Sequence, residues 1–124
     1  MKKFFFLVSL ILALSLSVSN AGAQGSQESF CRPSGLLSAS GTVSARPGTL
    51  CGVIIITSST NNATVTLYDN ATTNSGTVVF EAVLVAGTAS YSSGYAFTKP
   101  VLVGNGIYAT VSGTGANFIV YFSP

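Results

Sequence analysis

Histidine is absent from the chain of 124 residues, and only 6% of its residues are charged. Without histidine, Ser-His and Cys-His nucleophile arrangements and the common metal sites lose their central residue. The acidic residues are Glu28, Asp69 and Glu81. No set of acid, base and nucleophile can be assembled from so few groups, so the sequence predicts a protein that is not an enzyme and holds no metal or cofactor.

Asp69 and Glu81 are the only candidates for a glycosidase-like carboxylate pair. If the strands flanking residues 70–76 pair as a hairpin, Asp69 lies near Thr77 and Glu81 near Val65. The two carboxylates are then roughly 13 Å apart along the ladder. That separation exceeds the ~6.5–9.5 Å found in inverting glycosidases, and it argues against catalysis.

The loop over residues 69–76 has one carboxylate and no closing glutamate, which is too little for a strong calcium site. An Asx-type turn, in which Asp69 and Asn70 bond their own backbone, is the favoured interpretation.

The amino terminus has the three parts of a secretory signal peptide. Lys2 and Lys3 form a positive region, residues 4–16 form an apolar run, and residues 21–23 are the small-residue cleavage motif Ala-Gly-Ala. The apolar run is shorter than the ~20 residues of a membrane-spanning helix. We therefore expect residues 1–23 to be removed, giving a secreted, periplasmic or cell-surface protein with no membrane segment.

Charge is scarce and balanced in the expected mature chain. Lys2 and Lys3 account for the whole formal net charge of +2, so the basic and acidic residues that remain cancel. A neutral, charge-poor surface offers no electrostatic footprint for nucleic acid or for an anionic membrane.

The chain contains two cysteines, Cys31 and Cys51. In an exported protein such a pair favours a disulfide, because the compartments outside the cytosol are oxidising. The bond would close a loop of about 20 residues and stabilise the fold by roughly 3 kcal/mol in the chain-entropy model. Two independent buried thiols are the alternative.

After a polar tail over residues 24–35, residues 36–124 form one predicted all-β domain. Short apolar segments alternate with clusters of Gly, Pro, Asn and Ser, without helical periodicity. About six or seven short strands predict a single antiparallel β-sandwich of jelly-roll or immunoglobulin-like kind. The expected strands cover residues 36–44, 50–57, 64–68, 77–85, 95–103, 107–112 and 117–123, and the last two are expected to form a hairpin.

The run from Leu50 to Thr57 is predicted to be the central strand. It has no polar residue from Val53 to Ile56, so we expect both of its faces to be covered. Pro100 cannot donate to a ladder, and it marks its own segment as an edge or a bulge.

The segment over residues 77–85 has an unusually apolar second face. Strict alternation places Val79, Glu81, Val83 and Val85 together on it. Such a face is too apolar for open water, so we expect a sheet edge or a second molecule to cover it. Self-association or a larger assembly is therefore the expected partnership.

The tyrosines are the other candidates for ligand contact. Tyr91 and Tyr95 fall in or beside the longest stretch rich in Ser, Gly and Thr, residues 86–94, where binding residues tend to lie. They could stack on a glycan, or they could be cross-strand packing residues, since tyrosine is a favoured strand residue.

Several strand-and-turn phrases together suggest a family. They are Gly48-Thr49-Leu50-Cys51-Gly52-Val53, Thr66-Leu67-Tyr68-Asp69-Asn70, Gly76-Thr77-Val78-Val79-Phe80, Gly104-Asn105-Gly106-Ile107-Tyr108 and Gly113-Thr114-Gly115. In their order they resemble small β-sandwich proteins of tailed bacteriophages. That resemblance implies a virion-associated structural domain of the decoration or fibre kind.

The signal peptide and the cysteine pair are similar instead to those of chaperone-assembled pilins, which are exported, disulfide-linked and all-β. Tyr121 matches the aromatic residue that pilins carry near the C-terminal end. From the whole sequence we expect an exported, non-catalytic β-sandwich with a structural or adhesive role. The alternative is a secreted carbohydrate-binding module that uses loop tyrosines.

Overall fold

The computed structural model describes residues 31–58, 60–87 and 92–124. Every regular element in these ranges is a β-strand, and no helix long and apolar enough to span a membrane occurs in them. The strands are β1 (Arg32–Pro33), β2 (Gly41–Ser44), β3 (Gly48–Ile56), β4 (Ala63–Asp69), β5 (Thr77–Leu84), β6 (Ser92–Val103), β7 (Ile107–Ser112) and β8 (Asn117–Ser123).

The strands form two antiparallel sheets of four strands each. Sheet I has the order β1-β8-β3-β6 and sheet II the order β2-β7-β4-β5. The all-β prediction is confirmed, but the strand count is eight in place of six or seven. The missed strand is β1, which is only two residues long and so shows no alternation. Its backbone pairs with Tyr121 and Phe122 of β8.

The hydrophobic core lies between the two sheets. Strand β3 is interior to sheet I, with β8 on one side and β6 on the other. Its inward residues are fully buried, whereas Ile54 and Ile56 are only half-buried. The expectation that both faces are covered is therefore wrong for the described residues, because none of their strands packs on the outer side of sheet I. The buried apolar residues are Leu50, Val53, Ile55, Ala63, Val65, Leu67, Leu84, Val103, Ile107, Ala109, Ala116, Phe118 and Val120.

Irregularities interrupt sheet I on both sides of β3. Against β8, Leu50 pairs with Phe122 and Gly52 with Tyr121, so Cys51 is an extra, bulged residue. A bulge shifts the alternation, and Leu50 and Val53 can therefore both face the core.

Pro100 lies in the second irregularity of sheet I. Against β6, the pairing jumps from Ala96 to Val101, so the residues around Pro100 leave the ladder. Strand β6 is also at the edge of sheet I. The prediction that proline marks an edge or a bulge is confirmed in both respects.

The prediction that β7 and β8 form a hairpin is wrong. Both strand ranges are as expected, but β7 pairs with β4 in sheet II and β8 with β3 in sheet I. The turn between them crosses from one sheet to the other. Gly113 adopts a φ of 110° there, and a side chain at this position would collide with the carbonyl oxygen of Asn62. Only glycine fits this crossing.

Candidate functional site

The carboxylates of the described residues do not form a pair. Asp69 pairs with Thr77, as predicted, but Glu81 pairs with Thr66 and not with Val65, since a bulge lies between them. The Glu81 carboxylate accepts a hydrogen bond from the Thr66 hydroxyl at 3.2 Å. Within the described part of the chain, no three His, Cys, Asp or Glu side chains are grouped as metal ligands.

The carboxylate of Asp69 accepts two hydrogen bonds from a distant part of the chain. Its Oδ1 accepts the N–H of Asn105 at 2.7 Å, and its Oδ2 accepts the N–H of Gly104 at 3.1 Å. These bonds tie the end of β4 to the turn between β6 and β7. The prediction that Asp69 bonds the backbone of its own loop is therefore wrong. The Asx prediction is confirmed for Asn70, whose Oδ1 accepts the N–H of Thr72 at 2.9 Å.

Replacing Asp69 with asparagine is expected to lessen the acid sensitivity of folding. The hydrogen bonds from the backbone of Asn105 and Gly104 hold the pKa of Asp69 below its ordinary value of 3.8. A lowered pKa contributes stability that is present above the unfolded-state pKa and is lost as the pH falls through the folded-state pKa. Urea unfolding at pH 7 and pH 3 measures this loss. Equal losses in wild type and Asp69→Asn would contradict it.

Tyr95, one of the two tyrosines singled out from the sequence, is a packing residue in the described structure and not part of a surface platform. The ring of Tyr95 is half-buried and packs edge-on against Phe80, with ring centroids 5.2 Å apart. Phe80 makes a second edge contact with Phe97 at 5.7 Å. This aromatic cluster joins β5 to β6, and it assigns Tyr95 to packing between the sheets. Tyr91 lies outside the described residues.

Strand β5 carries an exposed apolar strip on the outer side of sheet II. Tyr68 pairs with Val78 and Leu67 with Phe80, so Val79 is a bulged residue. The bulge removes Val79 from the predicted face and turns it, half-buried, toward the core. Val78 takes its place. The β5 strip consists of Val78, Glu81, Val83 and Val85, and its valines are 49%, 49% and 53% exposed in chain order.

A groove of about 460 Å³ lies on the outer face of sheet I. Three of the residues in its floor have small side chains or none, because Gly52 pairs with Ala96 in β6 and Ile54 pairs with Gly94. The disulfide between Cys31 and Cys51 and the side chain of Tyr121 border it, and none of its lining residues is charged. We call this feature the sheet I groove.

The two glycines in the floor of the sheet I groove are present for different reasons. A Cβ at Gly52 would lie 2.7 Å from the carbonyl oxygen of Tyr95, so packing against β6 requires glycine there. At Gly94 a Cβ would meet only Ile54, at an ordinary 3.9 Å. Glycine weakens a strand interior, and packing does not require it at position 94. Because Gly94 has no side chain, the sheet I groove is open above it.

A pair of tyrosines occupies the outer face of sheet II. Tyr68 of β4 lies directly opposite Tyr108 of β7, and both rings are half-buried. Alternation along each strand turns these tyrosines outward, since their neighbours Leu67, Ile107 and Ala109 are buried in the core. The sequence alone does not reveal this pair, because the two residues are 40 positions apart and only the register brings them together.

Comparison of the chain with models of protein families, with curated proteins and with solved structures found no match.

Proposed function

We propose that the chain is an exported, non-catalytic β-sandwich that works by associating with itself in a larger assembly. The observation that carries this proposal is the β5 strip, whose valines remain about half exposed. Strand β5 is also the edge of sheet II, and an unpaired edge next to apolar side chains is a template for association. The scarcity of ionisable groups supports a role that depends on contact and not on chemistry.

The proposed fold type is a jelly roll. The pairs β1–β8, β2–β7, β3–β6 and β4–β5 are nested, as in one long hairpin that has been rolled up so that β3 meets β8 and β4 meets β7. Eight strands in two sheets with this order are typical of jelly rolls, which include viral capsid domains. The nested order agrees with the virion-associated role implied by the resemblance to phage β-sandwich proteins. The Cys31–Cys51 disulfide agrees with export.

Val83→Lys is expected to abolish self-association. Val83 points outward from β5, so a lysine there leaves the core intact but places an uncompensated charge in the contact. We expect the exported wild-type protein to show a mass that rises above the monomer with concentration, and the variant to remain monomeric in sedimentation equilibrium. An unpaired charge raises the concentration for half-assembly about tenfold or more.

Thr114→Lys is the matched control, because it adds the same charge at an exposed position in the turn between β7 and β8. It is expected to assemble like the wild type. A monomeric wild-type protein at every concentration would contradict the proposed function.

A carbohydrate-binding role is the second candidate, and the Tyr68–Tyr108 pair favours it. Two half-buried rings side by side on an open sheet face offer flat surfaces to the apolar face of a neutral sugar. Tyr68→Ala is then expected to weaken binding on a glycan array about tenfold. Tyr121→Ala, on the outer face of the other sheet, is the control. Binding that is lost only on changing Tyr91 would place the site at the residues that precede β6 in the sequence.

A further inference from the structure

We propose that Asn105 is a site of spontaneous chemical modification, where conversion of the side-chain amide to a carboxylate releases the turn between β6 and β7 from Asp69. The reaction needs only water, and it does not depend on the proposed self-association. It makes the end of the sandwich that Asp69 holds together the part of the molecule that changes with age.

The Asn-Gly sequence occurs once in the chain, at residues 105–106. The fold requires the glycine, because Gly106 adopts a φ of 116° and a Cβ there would lie 2.5 Å from the carbonyl oxygen of Ser44. A residue without a side chain leaves its backbone nitrogen open to the side chain before it. Every other asparagine is followed by a residue that has a side chain, namely Ala21, Asn62, Ala63, Ala71, Ser75 or Phe118.

Asn105 lies at the surface, where water reaches it, and it contacts the carboxylate of Asp69. Its backbone N–H donates to Asp69 Oδ1 at 2.7 Å, and its side-chain amide donates to the same carboxylate. The N–H of Gly104 adds a hydrogen bond to Oδ2 at 3.1 Å. Residue 105 therefore supplies both a backbone and a side-chain donor to the link between β4 and this turn.

The proposed reaction balances with water as its co-reactant. Asparagine is among the thermolabile residues of proteins. The backbone nitrogen of Gly106 loses its proton, bonds to the side-chain carbonyl carbon of Asn105 and expels the amide nitrogen as ammonia. Water then opens the cyclic imide at one of its two carbonyl carbons. One opening gives aspartate, and the other gives isoaspartate, in which the main chain runs through the former side chain.

Both products weaken the link to Asp69. Each places a second carboxylate where an amide donated a hydrogen bond, and two carboxylates in contact repel each other. Isoaspartate also adds one carbon to the main chain of the turn, about 1.5 Å of extra length. Gly106 leaves little room for this length, because Ser44 and Ala71 pack against it. The turn therefore moves away from β4.

Ageing of the folded, oxidised protein at mildly alkaline pH, followed by peptide mapping in a mass spectrometer, tests the modification. We expect the peptide with residue 105 to change from amide to acid at least about tenfold faster than peptides with the other asparagines. Asn105→Gln has to close a larger ring and is expected to keep its amide. Ser75→Gly is the matched control, because it places a glycine after Asn74, which is exposed in the loop before β5.

Hydrogen exchange on the same samples tests the release. In aged wild type, exchange at the N–H groups of Gly104 and Asn105 is expected to be at least about tenfold faster than in fresh protein. Asn105→Asp is expected to reproduce this change without ageing. Modification at Asn74 in a doubly changed protein, Asn105→Gln with Ser75→Gly, is expected to leave both groups protected.

Two results would overturn the inference. A folded wild type that keeps its Asn105 amide for as long as Asn105→Gln keeps its own would refute the modification. Conversion at Asn105 with unchanged exchange at Gly104 would refute the release. Neither result bears on self-association, which is measured by mass against concentration.

Discussion

Replacing both cysteines of the Cys31–Cys51 disulfide with serine is expected to lower the free energy of unfolding by about 3 kcal/mol. The two residues are 20 positions apart, and the bond limits the freedom of the unfolded chain between them. The loss matters in a small domain, whose core supplies limited stability. Chemical denaturation of the double variant and of the oxidised wild type measures it.

The same bond has a local role that a second measurement detects. Strand β1 has two residues, and its pairing with β8 is short. Without the disulfide, hydrogen exchange at Arg32 and at its neighbours in β8 is expected to accelerate more than exchange in β4. The reduced wild type is the control and is expected to match the serine variant. An unchanged unfolding midpoint in both proteins would contradict the expected contribution.

Phe118→Ala is expected to have the largest effect of any single core change, about 3–5 kcal/mol of unfolding free energy. Phe118 is fully buried in β8, where it pairs with Ile55 of β3 and its backbone bonds to Leu37. Its removal leaves a cavity between the sheets. Urea unfolding followed by fluorescence or circular dichroism measures the loss.

The matched control is Ile119→Ala, on the next residue of the same strand. Ile119 points to the outer face of sheet I and is half-buried, so its truncation opens no internal cavity. We expect it to cost about 1 kcal/mol, the typical effect of a point mutation. Similar losses for Phe118→Ala and Ile119→Ala would mean that the space between the sheets is not the main core.

Local pattern was enough to predict seven of the eight strands, because alternation and turn residues act over a few positions. The ranges of β7 and β8 follow from the sequence, and so does the inward direction of Val65 and Leu67. Where an extra residue enters a strand, alternation fails. The bulge at Val79 reverses the predicted faces for the start of β5, and no local signal distinguishes Val79 from its neighbour Val78.

The surfaces were predictable only in part, since they depend on register between distant strands. Val83 and Val85 could be singled out because they alternate within one segment. The sheet I groove could not, because Gly52 and Gly94 become neighbours only after β3 and β6 pair. The choice of sheet for β8 is equally non-local, and a turn with glycines permits either a hairpin or a crossing.

The position of β8 has a consequence for the order in which the protein folds. This strand lies between β1 and β3 and is the last of the eight in the chain. During synthesis from the amino terminus, β3 therefore has one unpaired edge until residues 117–123 have been made. An apolar strand with a bare edge is prone to pair with the wrong chain. The chain is therefore most open to wrong strand pairing before the synthesis of β8 is complete.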